Sequence, residues 1–196
     1  WEQAGIVSAE LEIGEENWFR IGVSHLSFIV GGPYGVFGRA RVIPLNQGWN
    51  LISLNFTPPE YLWAGGEGAD LLRMFRQLRI DEDNHLIWQV KDERGRFYMP
   101  GYDEFNTIRY WNLTQGYQVK ITEDAYAVWY GDLIPADADV PLEEGWNNIA
   151  YFPTYDLDAS APDMYVLSPI IENVLLAKDT HGRFMLPARE FSNMPP

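Results

Sequence analysis

Three histidines, His25, His85 and His181, are the imidazoles on which acid–base or metal chemistry would have to draw. His181 stands in an Asp-Thr-His-Gly run whose earlier parallel carries Arg94 at the same place, so a solvated turn position accounts for it better than a general base. The sequence contains no Gly-x-Ser-x-Gly elbow, phosphate loop or His-Glu-x-x-His pair. Acid pairs are frequent: Asp81-Glu82-Asp83, Glu123-Asp124, Asp137 with Asp139, and Asp156 with Asp158. A glycosidase needs two such carboxyls at a set separation across a cleft, and a calcium loop needs alternating oxygen ligands around a glycine. These runs lack the calcium-loop spacing and read as solvated turn charge. No catalytic, cofactor-binding or metal residue is assigned, Ca2+ at Asp137 or Asp156 is the one ion left open, and the chain reads as a non-enzyme.

Aromatic residues offer a second chemistry. With 8 Trp and 11 Tyr, exposed rings such as Trp63, Trp88, Trp129, Tyr151 and Tyr155 could stack on sugars. Trp49 and Trp146 read instead as core, since each follows a turn glycine at a repeated position. Asn55 and Asn112 open Asn-x-Thr triplets, the N-glycosylation pattern.

Composition narrows the class. An aromatic content of 15% and a hydrophobic content of 46% exclude a disordered chain. A formal net charge of -14 disfavours nucleic acid and anionic membranes, because counterion release needs clustered Lys and Arg. Cysteine is absent, so there is no disulfide or thiolate metal site. No apolar run approaches membrane-spanning length, and no membrane insertion is expected. Trp at position 1 in place of Met fits removal of a leader.

The elements that must carry these side chains are organised by duplication. Residues 43–52, Ile-Pro-Leu-Asn-Gln-Gly-Trp-Asn-Leu-Ile, return at residues 140–149 as Val-Pro-Leu-Glu-Glu-Gly-Trp-Asn-Asn-Ile. A second block repeats in the same order: Lys91-Asp92 and Gly95-Arg96-Phe97, with Pro100, Phe105 and Ile108, answer to Lys178-Asp179 and Gly182-Arg183-Phe184, with Pro187, Phe191 and Met194. The chain therefore divides into an N-terminal β segment (1–42), a first copy (43–131), a linker (131–139) and a second copy (140–196). The expected fold class is mainly β (α+β): two tandem copies of a small β-rich module, each with a short helix.

Val7, Ala9, Leu11 and Ile13 alternate with Ser8, Glu10 and Glu12, which predicts a strand with one buried and one wet face. A further strand is expected at 18–23, and two more within 27–42 around a glycine-rich turn. In the first copy, strands are expected at 50–56, 86–91, 96–99, 117–121 and 127–130, and a helix over 70–78 with Leu71, Leu72, Phe75 and Leu78 on one side. In the second copy a helix is expected from Pro162 and Asp163, ended or bent by Pro169.

The copies differ at their ends. In the first, Phe105 and Ile108 lead to Trp111, Gly116 and the alternating strand 117–121; in the second, Phe191 and Met194 lead to Pro195-Pro196 without that strand. Trp1, Gly5 and strand 7–13 repeat the missing pattern at the other end of the chain. Strand 7–13, through Val7, Ala9, Leu11 and Ile13, is expected to complete the second copy. The acceptor groove is expected to be built from Trp146, Phe184, Phe191 and Met194. Two closures are open: the chain's own amino terminus folds back, or a neighbouring chain supplies the strand, in which case the closure is heterologous and propagates head to tail.

The blocks Gly48-Trp49-Asn50, Gly95-Arg96-Phe97, Trp111-Asn112 with Gly116-Tyr117-Gln118-Val119-Lys120, and Gly145-Trp146-Asn147 resemble tandem modules of large secreted bacterial surface proteins. The resemblance spans residues 43–196 and implies a β architecture and an extracellular or cell-surface location. The leading expectation is a secreted structural subunit that polymerises with itself. The alternative is a monomeric carbohydrate- or surface-binding module.

Overall fold

Glycine spacing between residues 27 and 42 predicts two strands about a turn, and that hairpin frames the first copy. The computed structural model describes residues 26–32, 35–179 and 181–194, so the candidate donor strand 7–13 and the strand expected at 18–23 lie outside the described residues. The fold is mainly β. Its strands are β1 (Leu26–Gly32), β2 (Gly35–Leu45), β3 (Gly48–Ile52), β4 (Phe56–Thr57), β5 (Ala69–Asp70), β6 (Ile87–Lys91) and β7 (Phe97–Tyr98), followed by β8 (Tyr110–Trp111), β9 (Tyr117–Ile121), β10 (Ala125–Leu133), β11 (Ala177–Lys178), β12 (Phe184–Leu186) and β13 (Phe191–Ser192).

One sheet has the order β1-β2-β10-β4. β2 pairs with β1 from Val42 back to Gly35 and with β10 from Leu45 to Arg39, all antiparallel. Pro44 is tolerated in this long strand because it lies past the end of β1, where β2 has only β10 beside it. The second sheet has the order β3-β9-β6-β7, so β9 is an inner strand held on both edges. Its alternation is complete: Tyr117, Val119 and Ile121 are buried, and Gln118 and Lys120 are not.

Between β5 and β6 the chain turns through α1 (Leu71–Met74), capped by the Asp70 carboxylate, which accepts a hydrogen bond from the Arg73 N–H at 3.1 Å. The helix tightens into a 3-10 turn at Phe75–Leu78. Its buried face is Leu71, Met74, Phe75 and Leu78, the i, i+3, i+4, i+7 stripe, whereas Leu72 points to solvent, contrary to the expectation.

These elements close one core. Trp129 donates its indole N–H to the Met74 carbonyl at 3.0 Å and meets Phe75 edge-on at 5.5 Å; Trp111 packs on Tyr117 at 4.3 Å. All members of this core lie between Leu45 and Trp129.

Two further expectations are corrected. β10 extends to Leu133, so Gly131 belongs to a strand and the connection to the second copy starts later than residue 131. In the second copy the expected helix is a 3-10 helix, Tyr165–Asn173, that contains Pro169 and buries none of its residues. Among the described residues no helix is long and apolar enough to cross a membrane.

Candidate strand-acceptor site in the second repeat

The duplication supplies a template against which the second copy can be compared position by position. In the first copy, the Asp92 carboxylate accepts from the backbone N–H of Arg94 and Arg96 and from the Arg96 guanidinium at 2.6 Å, closing the hairpin around Gly95 at φ 77°. Asp179 does the same with His181 and Arg183, around Gly182 at φ 79°. Burial raises the Asp179 pKa, but the bonds from Arg183 and His181 outweigh it and hold the carboxyl below its ordinary range. The Thr107 hydroxyl accepts from the Phe97 N–H, and the Asn193 side-chain oxygen accepts from the Phe184 N–H. Asn50 and Asn147 each clasp their own turn, bonding Asn46 and Gly48 in one copy and Glu143 and Gly145 in the other.

β6 and β7 pair Val90 with Tyr98 and Lys91 with Phe97, and β11 and β12 pair Ala177 with Met185 and Lys178 with Phe184, in the same register. Lys91 Nζ lies 4.4 Å from the Trp49 ring centre, and Lys178 Nζ lies 4.9 Å from that of Trp146. In the first copy that contact reaches across β9, because β9 separates β3 from β6. The second copy keeps the lysine, the tryptophan and their separation. Among the described residues, however, no strand lies between 145–149 and β11.

The consequences appear at the positions that β9 would cover. Asn50 has a further amide contact, to the Val119 carbonyl of β9 at 3.4 Å, and Asn147 has no counterpart of it among the described residues. Ile52, paired with Tyr117 of β9, is 7% exposed and Ile149 42%; outside β9, Leu45, paired with Ala125 of β10, is 1% exposed and Leu142 43%. On one edge, residues 148–150 bond to the first copy, where Asn148 accepts from the Gly116 N–H and Ala150 donates to the Thr114 carbonyl. The Tyr151 N–H likewise donates to the first copy, to the Ser53 hydroxyl at 3.1 Å. Leu175, 87% exposed, is the counterpart of Trp88.

A cleft of about 330 Å³ opens beside these edges, lined by Tyr151, Asp156, Leu157, Ala159, Asp179, Arg183 and Met194. Asp179, Arg183 and Met194 correspond to Asp92, Arg96 and Ile108. In the first copy Asp92 and Arg96 lie close enough to the Tyr117 phenol to act on its ionisation, and Ile108 shares the core with Tyr117. Three of the seven lining residues of the cleft thus have first-copy counterparts around Tyr117, the first side chain of β9. The buried hydrophobics of the second copy are few: Ala150, Phe152, Met164 and Met185.

No protein-family model, curated protein or solved structure matches this chain.

Of the expected groove residues, Met194 lines the cleft, while Phe184 and Phe191 stack with each other at 5.4 Å on the β12–β13 hairpin, with Phe191 exposed. Trp146, 61% exposed under Lys178, and Trp49, 44% exposed under Lys91, are outward residues of the sheet face; the reading of both as core is corrected. Sequence reasoning missed Ile149, Leu175 and Leu176 as exposed apolar residues of the second copy, and placed Tyr151 with the sugar-stacking rings, not at this cleft.

Other candidates are dispersed. Trp129 is buried and Trp63 half-buried, its N–H bonded to the Pro58 carbonyl, so neither belongs to an open stacking platform. Asp81 and Asp158 cap local turns. Among the described residues no three His or acidic side chains converge as a metal site would require, so Asp137 and Asp156 form no such group. The Asn55 side chain is buried, and Asn112 is exposed with its Oδ1 accepting from Thr114.

Proposed function

We propose that the second repeat is an acceptor for an extended strand, and that the chain is an extracellular structural subunit assembling head to tail. Residues 7–13 of one copy complete the second repeat of the next. The observation that carries this reading is the preserved Lys178–Trp146 contact across a slot that, in the first repeat, holds β9. Two strand spacings separate β3 from β6, about 9–10 Å, which is the width one added strand fills.

The occupant must supply apolar side chains at alternate positions and backbone groups to both edges. Val7, Ala9, Leu11 and Ile13 meet the first condition. Burial contributes roughly 1.5–3 kcal/mol for each large aliphatic side chain, before ordering costs. The contact joins unlike surfaces, so it propagates instead of closing a dimer. The resemblance to modules of secreted surface proteins supports the location.

The test is electron microscopy and sedimentation velocity on the full chain, the chain lacking residues 1–13, and Leu11→Asp. Filaments or ladders of the full chain, reduced to single copies in both variants, are expected. A synthetic peptide of residues 1–13 should then bind the shortened chain and protect the amides of 147 and 149. A full chain that stays monomeric, or variants that still assemble, would overturn the reading.

A further inference from the structure

The chain contains three lysines, Lys91, Lys120 and Lys178, and every one stands over the ring of a tryptophan. In the first repeat two of them share one face of the β3-β9-β6 sheet. Lys120 Nζ lies 4.1 Å from the Trp88 ring centre and 5.7 Å from that of Trp49, and Lys91 Nζ covers Trp49 at 4.4 Å. Trp49 and Trp88 remain 44% and 47% exposed.

Three features set this face apart. First, the strands that build it, Gly-Trp-Asn-Leu-Ile, Ile-Trp-Gln-Val-Lys and Tyr-Gln-Val-Lys-Ile, contain no acidic residue, although the chain as a whole has a net charge of -14. Second, the pairing of β6 with β9 shifts between Ile87 and Gln89, a bulge that leaves Trp88 outside the ladder and aims it at Lys120. Third, the face belongs to an open four-stranded sheet and spans several strands, which suits an extended polymer better than a small molecule, whose sites are concave.

We propose that this face binds an anionic polysaccharide, with sugar rings lying along Trp49 and Trp88 and carboxylates meeting the ammonium groups of Lys91 and Lys120. The amide of Gln118, the other outward side chain of β9, is available to hydroxyls. Two isolated ammonium groups match a polymer carrying one charge per sugar. They are too few for the dense phosphate charge of nucleic acid, whose counterion release needs clustered cations. A neutral glycan gains the ring contact but gives the lysines nothing to pair with. This binding does not depend on strand exchange, since every residue involved lies in the first repeat.

The experiment is biolayer interferometry of the full chain on immobilised polygalacturonate, with its fully methyl-esterified form and poly-L-glutamate as comparison surfaces. Wild type should bind the free acid and be released by salt. Trp88→Ala and Lys120→Gln should each weaken binding about tenfold, and Arg189→Gln, at an exposed position of the second repeat, should leave it unchanged. Thermal melting confirms that each variant is folded, and the milder Lys91→Gln replaces any that is not. No binding to polygalacturonate, equal binding to the ester or to poly-L-glutamate, or folded Trp88 and Lys120 variants that bind like wild type would each overturn the proposal.

Discussion

At His85 an imidazole supports the local fold. Its Nδ1 accepts a hydrogen bond from the Ile87 N–H at 3.0 Å, beside the entry into β6, and burial lowers its pKa below the ordinary imidazole value. Because the folded pKa is depressed, the unfolded chain binds the proton first as pH falls. The stability due to neutral His85 is therefore complete above about pH 6.5 and declines below it, toward the folded pKa. Melting temperatures at pH 7.5 and 5.5 should show this loss, and His85→Gln should remove the part of it that belongs to this residue. The acid runs read from the sequence as turn charge do behave locally, with Asp81 and Asp158 bonded to residues two or three positions on. The tryptophans that follow the turn glycines were misread. A repeated position identifies a residue with a constant role, but that role can lie on the outer face of a sheet as well as in a core.

Among elements, the strand expected from period two at 117–121 is present, inner and one-sided. β9 matches its expected span, Tyr117–Ile121, with three buried and two outward residues in alternation. Ends were less legible. β10 was expected to stop at residue 130, yet it continues through Gly131 because β4 comes alongside: a side chain on Gly131 would place its Cβ 1.9 Å from the Thr57 carbonyl oxygen. Nothing in the local pattern announces that neighbour, since a glycine before an acidic, proline-rich stretch reads equally well as the start of a linker. Gly131→Ala should cost about 1–3 kcal/mol or more through forced backbone displacement, read as a lower urea midpoint with an unchanged slope. The short helix shows the same limit: Leu72 satisfies the composition of an apolar stripe, but its angular position places it outside the 71, 74, 75, 78 face.

For the whole molecule, the imbalance between the repeats is the governing fact. The first copy gathers its apolar residues around β9, α1 and Trp129 into one core, whereas among the described residues of the second the buried hydrophobics are Ala150, Phe152, Met164 and Met185. A region with few buried contacts opens at low free energy. Amide hydrogen exchange should therefore be fast across 145–149 and 174–178 in the unassembled chain and slow across β3, β6 and β9. Under strand exchange, assembly should bring the second-copy segments toward the protection of their first-copy counterparts. Equal protection of the two copies in a monomer would contradict the imbalance itself.

The duplication, the mainly β class, the hairpin turns around Gly95 and Gly182 and the position of the candidate slot were all present in the order of residues, because each follows from short-range pattern or from comparing the chain with itself. The tertiary structure decided what those patterns could not. The Trp–Asn segment of the second copy bonds to the first copy through Asn148 and Ala150, Lys178 lies over Trp146, and a cleft opens beside Asp179, Arg183 and Met194. Edge pairing and side-chain burial depend on partners distant in sequence, and neither periodicity nor composition contains that distance.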